Sequence, residues 1–270
     1  PDKVQDGWLN RMLRAMPGVQ AETAFAVGRE DMRILRGEVP VMEWAPDSGM
    51  ELSPQARLLF EQIYHDDPLF RDAGLEAMQL ADMSAEEGMG EELMMPQGAT
   101  KGIRLGEVDA LVRFTAERLR HETRIASFSL LGWDTHKAQA GSINRALMRL
   151  ERAILGLKTA LGPEIWGKTA VLAMTEFGRT VAENGSGGTD HGTGSAMLYA
   201  GGALRGGQIL GDWPGLREEA LYKRRDLMPT SDVRAWAGQV MRGLYGLEAG
   251  FVEGTVFPGL TLGRDPGIVL

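Results

Sequence analysis

The sequence predicts one α/β domain with helices layered on both faces of a mostly parallel sheet. Three observations lead there. Ile125-Ala126-Ser127-Phe128-Ser129-Leu130-Leu131 and Thr169-Ala170-Val171-Leu172-Ala173-Met174 are short, β-prone apolar runs. Between them, Ser142 to Leu161 places Ile143, Ala146, Leu147, Leu150, Ile154, Leu157 and Leu161 on one helical face. Strand, long helix, strand is a βαβ unit, whose crossover favours parallel pairing. Finally, 270 residues at 43% hydrophobic and 24% charged are ordinary globular composition, enough for one large core.

The remaining elements follow in order. Asp6 to Leu13 reads as a short helix with Trp8, Leu9, Met12 and Leu13 together. Ala24-Phe25-Ala26-Val27 is a brief strand, and Ile34 to Gly37 ends at a turn. Pro40 to Gly49 holds two prolines and a glycine and is expected to be a loop. Ser53-Pro54 starts a helix, with serine as N-cap and proline in the first turn. Residues 84–102 combine acid and glycine with little to bury, so a mobile loop is expected there.

Val108, Leu111, Val112 and Thr115 mark a helix from about Leu105 to Leu119. Gly162-Pro163 should stop the long helix, and the run 169–174 should be a strand buried on both faces. Ala196 to Ala200 is a further strand. A last helix runs from a Thr230 or Ser231 cap to Leu244, with Gly246 behind it. The whole, 1–270, is expected to be one domain.

Composition removes several chemistries. No cysteine means no disulfide, thiolate zinc site, iron–sulfur cluster or cysteine nucleophile. A net charge of -8 argues against a nucleic-acid surface while leaving room for a local basic pocket. No apolar run is long enough for a membrane span.

Chemistry is expected in three loops that follow strands, because ligands of open α/β sheets gather at strand carboxyl ends. In Gly132-Trp133-Asp134-Thr135-His136, positions two apart on an extended chain face the same way, so Asp134 and His136 converge as cation ligands. The alternative is a helix-capping Asp beside an exposed His. In Thr175-Glu176-Phe177-Gly178-Arg179-Thr180, a carboxylate and a guanidinium sit three apart at a strand end. Such charges are costly there unless they are used in function or paired with each other in a turn-closing Glu176–Arg179 ion pair. In Asn184-Gly185-Ser186-Gly187-Gly188-Thr189-Asp190-His191-Gly192, the backbone of Gly185, Ser186, Gly187 and Gly188 could cradle an anion, and Asp190 and His191 are metal-type side chains. The other histidines read differently. His65 precedes a proline at a helix end, and His121 lies in a charged, solvated helix end.

Those three blocks resemble signature blocks of the domain-of-unknown-function 1501 family, which is placed in the alkaline phosphatase and sulfatase superfamily. Asp6-Gly7-Trp8-Leu9-Asn10-Arg11, Gly206 to Pro214, Arg225 to Thr230 and Val256 to Gly259 extend the resemblance over nearly the whole chain. The resemblance implies an alkaline-phosphatase-like three-layer fold and a metal-dependent hydrolase of small anionic phosphate or sulfate esters. It also implies a bacterial, periplasmic or exported location. Asp134, His136 and His191 resemble one metal site, with Asp190 an open question. Where superfamily enzymes carry an Asp-His pair for a second metal, this chain has Glu176-Phe177, so the resemblance implies a second site with fewer ligands. It makes Glu176 a ligand of that site or an orienting carboxylate, and Arg179 a clamp on an anionic substrate. An Asp/His ligand set suits Zn²⁺ or Mn²⁺ better than Mg²⁺. The family's glycine-rich first strand and its Ser-His-Phe-Asp segment have no counterpart here, so the fold is expected to lack that strand and no nucleophile is identified. The competing expectation is a non-catalytic relative that binds carbohydrate or protein.

Overall fold

The structure, a computed structural model, describes residues 6–46 and 105–270. The helix expected from Ser53, the stretch 84–102 and His65 lie outside the described residues. Ala24–Val27 forms β1, and all four of its side chains are buried. Burial on both faces requires neighbours above and below, and the alternation of a strand supplies them. Phe25 and Val27 point into one cluster with Leu111 and Phe114. Ala24 and Ala26 point into another with Leu9, Met12, Leu13, Ala237, Met241, Val252 and Val256.

On either side of β1 lie β2 (Met42–Trp44) and β3 (Ile125–Ser127), both parallel to it. One face of this sheet carries α2 (Gly106–Leu119), and α3 (Gln139–Trp166) packs on α2 through Val112, Ala116, Ala153, Leu157 and Leu161. The other face carries α1 (Trp8–Leu13), α4 (Val233–Tyr245) and the turns around Val252–Val256. The expected layers, helix, parallel sheet, helix, are therefore present around these three strands.

Three details depart from the sequence reading. The segment 40–49 was expected to be loop, yet it contains β2. Its prolines, Pro40 and Pro46, flank the strand instead of interrupting it, while Met42 and Trp44 alternate inward and Trp44 stacks on Phe114 at 4.1 Å. The run 169–174 yields β4 (Val171–Ala173), which pairs antiparallel with β7 (Leu198–Ala200) and is half-buried throughout. No helix crosses between them: the intervening chain folds back as a small hairpin, and a strand that returns without a crossover returns antiparallel. Third, α3 begins three residues before Ser142 and continues beyond Gly162, whose φ of 68° breaks the helix so that Pro163 opens a final turn.

Other elements match closely. Gly246, at φ 65°, ends α4 in the left-handed region, although the N-cap is Asp232, whose carboxylate accepts from the Arg234 amide at 2.9 Å. In α1 the fully buried Asn10 donates to the Leu35 and Val39 carbonyls at 2.9 and 2.7 Å and accepts from the Val39 amide at 3.1 Å. Arg11 donates to the Val256 carbonyl at 2.9 Å. The early Gly7-Trp8-Leu9-Asn10-Arg11 block is thus a structural clasp joining α1 to two distant turns. Among the described residues no helix is long and apolar enough to cross a membrane.

Candidate metal centre

Two loops are laced together to make the site. From β3 the chain runs through Gly132 to His136 and enters α3. From the hairpin of β5 (Gly178–Arg179) and β6 (His191–Gly192), the stretch 184–190 lies against it. The amides of Ala138 and Gln139 donate to the Ser186 and Gly187 carbonyls at 3.1 and 2.8 Å, and the Thr189 amide donates to the Thr135 carbonyl at 3.2 Å. The Gln139 side-chain oxygen accepts from Thr135 and Thr189 hydroxyls at 2.9 and 2.7 Å. Asn184 donates to the His136 carbonyl at 3.0 Å. Gly188 sits so tightly that a Cβ there would overlap the carbonyl group of His136. That approach, more than any freedom of φ, is why glycine stands at this point.

The glycine stretch was expected to offer its amides to an anion. In the structure the amides of Ser186 and Gly188 donate to the Asn184 side chain at 2.9 and 3.2 Å, and that of Gly187 to the Asn184 carbonyl at 3.3 Å. These donors are spent inside the turn, which Asn184 organises.

The lacing brings Asp134, His136 and His191 together, with one donor atom of each within 4.8 Å of the others. Asp134 Oδ1 is 2.9 Å from His136 Nε2 and 2.7 Å from His191 Nε2. The side chains are 57%, 41% and 51% exposed respectively, so solvent reaches the cluster. Asp190 lies outside that triad. Its carboxylate is 3.1 Å from His136 Nδ1 and accepts from Asn184 at 3.0 Å. Glu176 is exposed and also outside the triad.

Arg179 does not pair with Glu176. Its guanidinium donates to the Thr189 carbonyl at 2.8 Å, to the Trp133 carbonyl, and to Asp134 at 3.2 Å. It also lies 4.8 Å from the ring of Phe177, which stacks on His191 at 4.3 Å with 7° between planes. Phe177, which stands where the resemblance would place a second-metal histidine, thus fixes the plane of the His191 ring.

Electrostatics follow from these contacts. The hydrogen bond from His191, with the nearby His136 and Arg179, holds the Asp134 carboxyl below the usual carboxylate range. Asn184 and then His136 do the same for Asp190. Both carboxylates stay ionised over the range where metals bind. Behind the site, Arg225 donates to the His191 carbonyl at 3.0 Å and to Asp226 at 2.6 Å, and Thr193 donates to Asp226 at 2.9 Å. This strut lowers the Asp226 pKa, chiefly through Arg225.

The donor set fits a divalent cation: one carboxylate oxygen and two imidazole nitrogens converge, and His136 meets a second carboxylate through its other nitrogen, as metal-bound histidines commonly do. Sequence reading missed Asn184, Gln139 and Phe177 as organisers. The offset of two between Asn184 and Ser186 was the one available signal, an Asx turn. His121 pairs with Glu117 at 3.0 Å on a solvated helix end, as its sequence context suggested.

Comparison with curated proteins and with solved structures finds no match to either. The pattern of the family described as Protein of unknown function (DUF1501) matches residues 1–238, a span that includes the laced loops, the triad and the α1 clasp. The chain belongs to the DUF1501 family.

Proposed function

We propose that Asp134, His136 and His191 hold one divalent cation, and that the protein uses it to hydrolyse phosphate or sulfate esters, as the resemblance to the alkaline phosphatase and sulfatase superfamily implies. One observation supports this most. His136 bridges two carboxylates, with Nε2 toward the triad at 2.9 Å from Asp134 and Nδ1 toward Asp190 at 3.1 Å. A proton held on Nδ1 by Asp190 leaves the Nε2 lone pair free for a cation. The ligand mix suits Zn²⁺ or Mn²⁺ better than Mg²⁺.

When bound, such a cation lowers the pKa of water or a hydroxyl and neutralises charge developing on oxygen. The chain's own residues do the rest. Phe177 holds the His191 ring in plane, and Arg179 braces Asp134, a role its three acceptors support better than a clamp on substrate. Glu176 is exposed beyond β4, and a role in orienting a ligand or contributing to a second cation rests on the resemblance alone. Hydrolysis would add water at phosphorus or sulfur and break the ester bond, the alcohol leaving with a proton.

A second reading is a non-catalytic relative that binds carbohydrate or protein through the same face. Two observations favour it. Among the described residues only one group of three metal-type side chains is assembled. The buried Thr135 hydroxyl, next to the ligands, is committed to Gln139. Assays on aryl phosphates and aryl sulfates with Zn²⁺, Mn²⁺ and Mg²⁺ separate the readings. Turnover abolished in His191→Ala supports the hydrolase; metal binding with no turnover on any ester supports the binder.

A further inference from the structure

Beside the triad lies an open cleft of about 510 Å³. Asp134 and His136 form one wall, and Lys137, Ser142, Arg145 and Arg149 are among the residues of the rest. Ser142, Arg145 and Arg149 are three and four residues apart on α3, so they share one helical face. Two arginines at i,i+4 repel each other, and none of the positions three or four residues away from them holds an acid. Arg149 is oriented by donating to the Leu131 carbonyl at 3.2 Å. Among the described residues, Lys137, Arg145 and Arg149 have no carboxylate partner, and what separates them from other such cations, for example Lys158, Arg205 and Arg264, is that all three line one cleft. The one carboxylate bordering the cleft, Asp134, is engaged by two histidines and Arg179.

Three cations without a carboxylate partner around one cleft, next to a candidate cation site, give that cleft a positive local potential in a chain whose net charge is -8. We infer that this cleft binds a second anionic group of the ligand, so that the favoured ligand is a small phosphate or sulfate ester bearing another acidic group, such as a carboxylate or a further phosphate or sulfate. The volume is that of a small-molecule site. The inference rests on the proposed function for the position of the ester group; the recognition of the second anion does not depend on turnover.

The test is equilibrium binding of phenyl phosphate and 4-carboxyphenyl phosphate, by calorimetry, with Zn²⁺ and after chelation. The readout is the ratio of the two affinities. Wild-type protein should favour the carboxylated ester about five- to tenfold, the gain expected of charge-assisted contacts at a partly exposed site. That ratio should shrink in higher salt and approach one in the Arg145→Gln/Arg149→Gln variant. Arg145→Gln alone alters an exposed side chain and should fold normally, and it should lower the ratio by part of that amount. Equal affinities in the wild type, or a preference that survives both substitutions, overturns the inference. A preference that persists after chelation while Zn²⁺ changes neither affinity upholds the cleft and contradicts the metal reading instead.

Discussion

His136 and Asp190 meet at 3.1 Å through Nδ1, the ring nitrogen that the triad does not use. Asp190 therefore acts on the site through another residue. Asp190→Asn, which keeps the shape but loses the charge, should weaken Zn²⁺ binding about 10- to 100-fold, as losses of such orienting carboxylates do. His121→Ala, remote from the cluster, should leave the titration unchanged. Calorimetry of the two variants side by side checks both.

Gly188 and Gly185 belong to the same glycine stretch and should behave in opposite ways. A Cβ at 188 runs into the His136 carbonyl group, so Gly188→Ala must shift one loop against the other. It should cost about 1–3 kcal/mol and lower the Tm by several degrees. Gly185 has no neighbour within 4 Å of its missing Cβ, so Gly185→Ala should stay within about 0.5 kcal/mol. Thermal melts of the two proteins decide it.

Asn10 predicts a stability effect far from the site. Asn10→Ala leaves two carbonyls and one amide without their partner at the centre of the α1 clasp. Unpaired buried groups cost about 1–3 kcal/mol each, and some relaxation is expected, so a loss of about 3 kcal/mol should appear in urea unfolding. Metal affinity of the folded variant should be retained.

Asp226 should give the protein part of its acid sensitivity. Its folded pKa is lowered, first by Arg225, so its contribution is complete above the ordinary carboxyl value of about 3.9 and fades as pH falls through the lowered one. In Asp226→Asn that contribution is absent at neutral pH. The variant should be less stable than wild type at pH 7, and the difference should close as both are acidified. Urea midpoints measured from pH 7 down to pH 2 report it.

How far the sequence led depends on whether a feature is local. The β1 run, the α2 and α4 stripes and Gly246 announce themselves through spacing and backbone preference within a few residues. Asp134 and His136 were legible because they lie two apart in one loop, although the chain there is not extended: the Thr135 amide donates to the Trp133 carbonyl at 3.0 Å and turns the backbone at Asp134. β2 was hidden because two prolines mark a loop unless the residues between them alternate against a sheet. The pairing of β4 was hidden because direction depends on the path of the chain through the hairpin, which apolar content does not encode. The glycine stretch shows the limit most clearly. Glycines suggested a cradle for an anion, while Asn184, one residue ahead, takes up those amides. The basic cleft likewise emerged only when Lys137 and the α3 arginines were seen to border the triad.

The most direct measurement is a calorimetric titration of Zn²⁺ into metal-free protein, repeated with His136→Ala, His191→Ala and Asp134→Asn. One equivalent should bind the wild type and raise its melting temperature, and each substitution should abolish both effects. Absence of stoichiometric binding, or binding that survives the loss of either histidine, contradicts the assignment of these three side chains as a metal centre.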